Sequence, residues 1–183
     1  MTTQLSVPFD CCYWVVPGKL MAGCYPGGPI AVEAEHRLSG LLAHGVRHVV
    51  NLMETHELDF YGNAFVPYEP VMQALADAAG LSVAFARFPI RDMDIPDEAG
   101  MIGILDHIDE QINNNIPLYV HCLGGIGRTG TVVGCYLARH GVANGRKALA
   151  MIKALRKSTA NKHQRSPQTE LQEKMVKNWK TGM

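Results

Sequence analysis

The chain has 183 residues, 47% of them hydrophobic and 19% charged, and its formal net charge is zero. That balance excludes a disordered chain, and the length suffices for one well-buried core, so a single domain over residues 1–183 is expected. No apolar run approaches the ~18 residues of a membrane-spanning helix, and the start MTTQLSVPFDCCYW lacks a basic n-region and a signal-type apolar core, so a cytoplasmic protein is expected.

In chain order, YWVVP and KLMAG read as short strands, and a helix follows over about 30–44, where Leu38, Leu41 and Leu42 recur at helical spacing and Gly45 ends the pattern. VRHVVNLM at 46–53 reads as a buried strand, EPVMQALADAAG as a helix closed by Gly80, and SVAFARFPI at 82–90 as another strand. DEAGMIGILDHIDEQINNN is an amphipathic helix with Ile104, Ile108 and Ile112 on one stripe and Asp97 as its expected cap. PLYVHC is the expected central strand, and TGTVVGCYLARHG, apolar almost all round, the expected buried helix. NGRKALAMIKALRK and SPQTELQEKMVKNW complete the pattern, the last with Ser166 as N-cap and Pro167 at the first helical position. Strands alternating with helices predict an α/β fold with a central, mostly parallel sheet flanked by helices.

The zero net charge hides a division: residues 1–110 carry 15 acids against 5 Lys or Arg, and residues 111–183 carry 2 against 12. No acid lies between Glu110 and Glu170, an interval that holds Arg128, Arg139, Arg146, Lys147, Lys153, Arg156, Lys157, Lys162 and Arg165. Either several share an anion-attracting face or most are solvated helix positions. The five cysteines, Cys11, Cys12, Cys24, Cys122 and Cys135, form no C-x-x-C pair and are odd in number, which predicts free thiols rather than a disulfide framework or zinc site. A redox control in which Cys24 or Cys135 caps an oxidised Cys122 is the alternative.

HCLGGIGRTG, residues 121–130, sits between the central strand and the buried helix and admits two readings. Gly125, Gly127 and Gly130 fit a dinucleotide fingerprint, yet the acid expected about 20 residues later is missing, the first being Glu170. The other reading is phosphate-ester chemistry. A glycine-rich loop of Leu123, Gly124, Gly125, Ile126 and Gly127 can curl its backbone N–H groups into an anion nest at a helix N-terminus. Arg128 then grips phosphoryl oxygens with its planar fork, and Cys122 attacks phosphorus as a thiolate that the helix end and surrounding donors stabilise. His121 is expected to hold the loop through backbone hydrogen bonds, a satisfied core histidine being the other reading, and Thr129 to donate its hydroxyl to the thiolate unless it only caps the helix. A general acid, worth ~10²–10⁴-fold, must come from elsewhere, and FPIRDMDIPDEAG offers Asp92, Asp94 and Asp97.

The run His121 to Gly130 resembles the signature of cysteine-dependent protein tyrosine phosphatases, and this version is similar to the small atypical dual-specificity phosphatases. The likeness extends over YWVVPGKLMAG at 13–23, LLAHGVRHVVNLMETHEL at 41–58, FPIRDMDIPD at 88–97 and SPQTELQEKMV at 166–176. It implies an acid loop with its Asp after a strand in a P-I-x-D pattern, thirty residues before the cysteine, which selects Asp92 over Asp94. It also implies a water-orienting glutamine near the start of the last helix, where Gln172 aligns best and an ordinary surface position is the competing reading. No cofactor and no metal are implied.

The extra phosphotyrosine-recognition loop of tyrosine-specific members is missing from the short N-terminal part, so phosphotyrosine, phosphoserine and phosphothreonine in a phosphorylated protein or peptide are the expected substrates. Phosphoinositide relatives tend to carry lysines inside the loop, where this chain is uncharged. A lipid or RNA 5′-phosphatase, a non-catalytic phosphate-binding module and a sulfur transferase are the alternatives. A monomer is expected, with no nucleic-acid or membrane partner.

Overall fold

In the computed structural model, which describes residues 5–59 and 61–183, the chain runs through five strands and six helices. They are β1 (Tyr13–Val16), β2 (Leu20–Gly23), α1 (Ala31–Ala43), β3 (His48–Asn51), α2 (Glu69–Ala78), β4 (Ala84–Arg87), α3 (Glu98–Asn113), β5 (Leu118–His121), α4 (Arg128–Arg139), α5 (Arg146–Leu155) and α6 (Glu170–Asn178). Every element expected from the sequence is present, most of them trimmed by a few residues where ends fray. The start MTTQ lies outside the described residues.

One sheet has the order β1-β2-β5-β3-β4, with only the β1/β2 hairpin antiparallel. β2, β3 and β5 are buried along their whole length, as continuous apolar runs in parallel sheets are. β4 is an edge strand, which explains why its residues are partly exposed. The helices α3 to α6 form one group, with α4 lying on β2 and β5, while α1 and α2 pack on each other. α4 is buried from Arg128 to Ala138, so the apolar pattern read all round it is satisfied on every side. No helix among the described residues is long and apolar enough to cross a membrane.

Two expectations need correction. Ser166 does not cap α6: the N-cap is Thr169, whose hydroxyl accepts from Gln172 N while the Gln172 side chain accepts from Thr169 N, a reciprocal capping box. Ser166 instead donates its Oγ to the Ile126 carbonyl at 2.7 Å.

The cysteines are not all free either. Cys11 and Cys24 form a disulfide, with Cα atoms 5.9 Å apart. The hairpin explains it: Tyr13 faces Ala22 in the ladder, and continuing that register two residues outward sets Cys11 opposite Cys24. Such a bond is more typical of oxidising compartments than of the cytosol. Cys24 is thereby unable to cap Cys122. Cys12 and Cys135 are buried thiols, and burial pushes both pKa values up, that of Cys12 to about 12.

Candidate active site

Parallel register brings the carboxyl ends of β2, β5, β3 and β4 level, with Gly23 beside His121, His121 beside Asn51, and Asn51 beside Arg87. The loops leaving these ends meet in one place. The loop after β5 runs from Cys122 to Gly127 and delivers the chain into α4 at Arg128. Gly125 adopts φ +67°, and a Cβ there would lie 2.6 Å from Cys24 N and against the Gly23 backbone, so only glycine fits. Gly125→Ala is expected to collapse phosphate binding while Gly124→Ala, whose Cβ would meet only the flexible Ile126 side chain, is tolerated. Tungstate titration by calorimetry on both variants checks this; equal affinities contradict it.

Cys122 is 3% exposed at the start of this loop, and Thr129 is fully buried in the first turn of α4. Because the N-cap of α4 is Gly127, the capping reading of Thr129 is excluded. Its Oγ1 is buried with no hydrogen-bond partner among the described residues. Leu123 accepts at its carbonyl from Tyr25 N at 2.9 Å, tying the loop to the segment after β2.

His121 is fully buried. Its Nδ1 lies 3.1 Å from the Cys122 carbonyl, and a carbonyl can only accept, so Nδ1 carries the proton. Nε2 therefore accepts from the Tyr68 hydroxyl at 2.7 Å. Burial pushes the imidazole pKa down to about 3, against the opposing pull of the Cys122 carbonyl. His48 is pushed down to about 4 by burial and by its neighbour His107, whose Nε2 is 2.8 Å from its own. Both imidazoles stay neutral in the fold while the unfolded chain takes up protons below pH ~6.5, so stability falls as pH falls from there. For His121 the slope approaches ~1.4 kcal/mol per pH unit until the folded protein protonates, and His48 adds in the same direction. Urea midpoints at pH 7.5 and pH 5 are expected to differ accordingly; equal midpoints contradict it.

Arg128 is 1% exposed, and its surroundings change the expectation for its fork. Nη1 and Nη2 donate to the two oxygens of Glu57 at 2.6 and 2.7 Å, and Nη1 also donates to the Ile90 carbonyl at 3.0 Å. Glu57 thus takes the edge formed by both terminal nitrogens. The second edge holds Nε, buried without a partner, and Nη2, which lies 3.0 Å from Asp92 Oδ1. Burial works against the charge, but the Glu57 hydrogen bonds and the anions around it outweigh that and raise the Arg128 pKa.

Asp92 and Asp94 are separated by Met93 at φ 63°, a left-handed residue that turns the two carboxylates to different tasks. Asp92, its side chain 56% exposed, reaches Arg128. Asp94 accepts from Ile95 N at 2.9 Å, and Asp97 caps α3 by accepting from Gly100 N at 2.7 Å. Gln172 is fully buried, not a surface position. Its Oε1 accepts from the Gln168 and Thr169 amides, and its Nε2 donates to the Asp94 carbonyl at 3.1 Å, so the amide clamps the segment bearing Asp92 and Asp94 to α6.

Glu57 is a site residue that sequence reasoning missed. A buried guanidinium is costly without an anion beside it, and with no acid between Glu110 and Glu170 the partner of Arg128 had to come from a distant part of the chain. Of the basic residues in that stretch, Arg146, Lys147, Lys153, Lys157, Lys162 and Arg165 are exposed helix or loop positions, while Arg156 is buried.

A family model described as Swiss Army Knife protein, DSP-PTPase phosphatase domain, matches residues 9–176. Among curated proteins, the dual specificity protein phosphatase CDC14B of Mus musculus is 27% identical over 148 residues, 78% of this chain and 27% of that protein. An uncharacterized protein of Methanocaldococcus jannaschii is 41% identical over 56 residues, 31% of this chain and 38% of that protein. The chain therefore spans well under half the length of either relative. Among solved structures, a kinase associated phosphatase with its catalytic site cysteine substituted by serine superposes with a TM-score of 0.68 at 19% identity, covering 93% of both chains. PTPMT1 in complex with PI(5)P gives 0.64 at 20% identity, covering 92% of this chain and 96% of that one. The active form of Tk-PTP gives 0.63 at 22% identity, covering 93% and 97%. At these identities the structural likenesses establish a shared fold.

Proposed function

The chain belongs to the Swiss Army Knife protein family of DSP-PTPase phosphatase domains, and from that premise we propose that it hydrolyses phosphotyrosine, phosphoserine and phosphothreonine esters in proteins through a cysteinyl-phosphate intermediate. The observation that carries this reading is the convergence of Cys122, the glycine loop and Arg128 with Asp92 on its exposed side. Backbone N–H groups of residues 123–127 and the α4 N-terminus favour three phosphoryl oxygens. The Nε and Nη2 edge of Arg128 completes the cradle, Glu57 fixing the plane of the guanidinium from behind.

A phosphate entering this cradle competes with Asp92 for Nη2 and frees the carboxyl to face the leaving group. The Cys122 thiolate attacks phosphorus in line; the S–P bond forms as the P–O ester bond breaks, and Asp92 gives its proton to the departing oxygen. Water then attacks the phosphocysteine, Asp92 takes its proton, the S–P bond breaks and inorganic phosphate leaves. The Thr129 hydroxyl is free to donate to the sulfur as its charge returns. Gln172, its amide engaged at both ends, acts by holding the acid loop.

The test is hydrolysis of an aryl phosphate by chelator-treated protein, expected to persist and to be blocked by vanadate. Asp92→Asn is expected to lower turnover by ~10²-fold or more for substrates with poor leaving groups and to remove the alkaline limb of the pH profile, because the acid must be protonated to act. If Asp94→Asn gives that pattern and Asp92→Asn does not, the acid has been misassigned.

A second reading has one observation in its favour. Asn161 and Ser166 bond the carbonyls of Gly124 and Ile126, so the segment bearing exposed Lys157, Lys162 and His163 runs beside the loop. Such a rim suits a phosphoinositide, the ligand class of the PTPMT1 complex. Faster turnover of phosphoinositide vesicles than of phosphotyrosyl and phosphoseryl peptides would favour that reading over the protein substrate.

A further inference from the structure

Arg156 is 2% exposed and, with Arg128, among the largest fully buried side chains, yet among the described residues it meets no carboxylate. Nη1 donates to the Gln164 carbonyl at 3.1 Å, and Nη2 donates to the Asn161 carbonyl at 3.1 Å and to Asn161 Oδ1 at 2.8 Å. Nε is buried without a partner. Burying a guanidinium among neutral oxygens is costly unless an anion offsets it.

The phosphate loop lies on the other side of the Arg156 hydrogen-bond partners. Burial lowers the Arg156 pKa, and the groups that oppose this are Tyr13 and Cys122. Tyr13 is itself held as a neutral phenol, since burial drives its pKa far up. Cys122 remains. The hydrogen bonds lead to the same loop: Thr159 Oγ1 and Arg156 Nη2 both hold Asn161 Oδ1, and this orients the Asn161 Nδ2, which donates to the Gly124 carbonyl at 3.0 Å.

We infer that Arg156 is a positioning residue of the site: from beneath the phosphate loop it fixes Asn161 on the Gly124 carbonyl and supplies the positive charge that favours the Cys122 thiolate. It does this without touching the phosphate. The inference rests on the proposed cysteine chemistry, and its test separates the two.

The experiment measures iodoacetamide alkylation of Cys122 at pH 6 without substrate, located by mass spectrometry, beside kcat and KM for an aryl phosphate. Arg156→Met is expected to slow alkylation about tenfold, the scale of one buried unit charge at an effective dielectric of about 20. Arg156→Lys keeps the charge and is expected to stay close to wild type in alkylation. Asn161→Ala breaks the clamp and leaves the charge, so alkylation is expected to hold while KM rises several-fold. Wild-type alkylation in Arg156→Met, or alkylation in Arg156→Lys as slow as in Arg156→Met, overturns the charge role, and an unchanged KM in Asn161→Ala overturns the clamp.

If circular dichroism shows that Arg156→Met does not fold, the other two variants decide: a Lys variant markedly slower than wild type overturns the charge role. Charge-dependent alkylation in a protein that hydrolyses no phosphate ester sinks the proposed function and leaves Arg156 in its role. Hydrolysis with charge-independent alkylation does the reverse.

Discussion

Cys122→Ser is expected to abolish hydrolysis, lowering kcat/KM by ~10⁴-fold or more, with the fold intact. Serine is nearly isosteric, and the site is already closed around a side chain that is 3% exposed, so packing changes little. The chemistry changes completely, because a serine hydroxyl does not ionise at neutral pH, and the adjacent His121 is turned to Tyr68 and to the Cys122 carbonyl rather than offered as a base. The variant should therefore still bind tungstate. Steady-state kinetics with calorimetry on one preparation read both outcomes, and residual turnover within tenfold of wild type would leave the proposed mechanism without its nucleophile.

Glu57→Ala is the second large effect. The guanidinium it would abandon is 1% exposed and held in place by two short bonds that it donates to Glu57. Removing one partner of a buried pair costs about 3–5 kcal/mol, because the remaining charge stays out of water. Asp92 is too exposed to take over, and pulling it toward Arg128 would also remove it from the role proposed for it. Activity is expected to fall ~10²-fold or more as the Arg128 plane is lost, with a smaller loss in Glu57→Gln, which can keep one bond. Denaturant melts and kcat/KM on both variants check this. An alanine variant with normal kcat/KM would show that Arg128 needs no carboxylate behind it.

What the sequence disclosed and what it hid divide by range. Periodicity in VRHVVNLM, PLYVHC and TGTVVGCYLARHG is local, and the strands and helix it announces are present. The residues of the proposed phosphate loop are equally local, since Cys122, the glycines and Arg128 are near neighbours in the chain. Glu57 lies 71 positions from Arg128, and no spacing rule joins them; only the register of β3 with β5 does. Asn161 and Arg156 escaped for a related reason. A single arginine in a basic stretch looks like its solvated neighbours until the fold buries it.

Two misses were recoverable. Thr169 and Gln172 show the T-x-x-Q spacing of a capping box, whereas Ser166 followed by Pro167 merely looked like a helix start. Cys11 and Cys24 lie just outside the YWVV and LMAG strands, so a hairpin drawn with Tyr13 facing Ala22 would have paired them.

The sheet has two rims with separate duties. Past Gly23, Asn51, Arg87 and His121 the chain leaves for the loops that surround Cys122. At the other rim the Lys19 and Arg47 carbonyls accept hydrogen bonds from the Leu118 and Ala84 amides, and the Pro117 carbonyl accepts from the Arg47 and His48 amides. Substitutions along the first border are therefore expected to alter what the cleft accepts, and those along the second to alter the heat the molecule withstands.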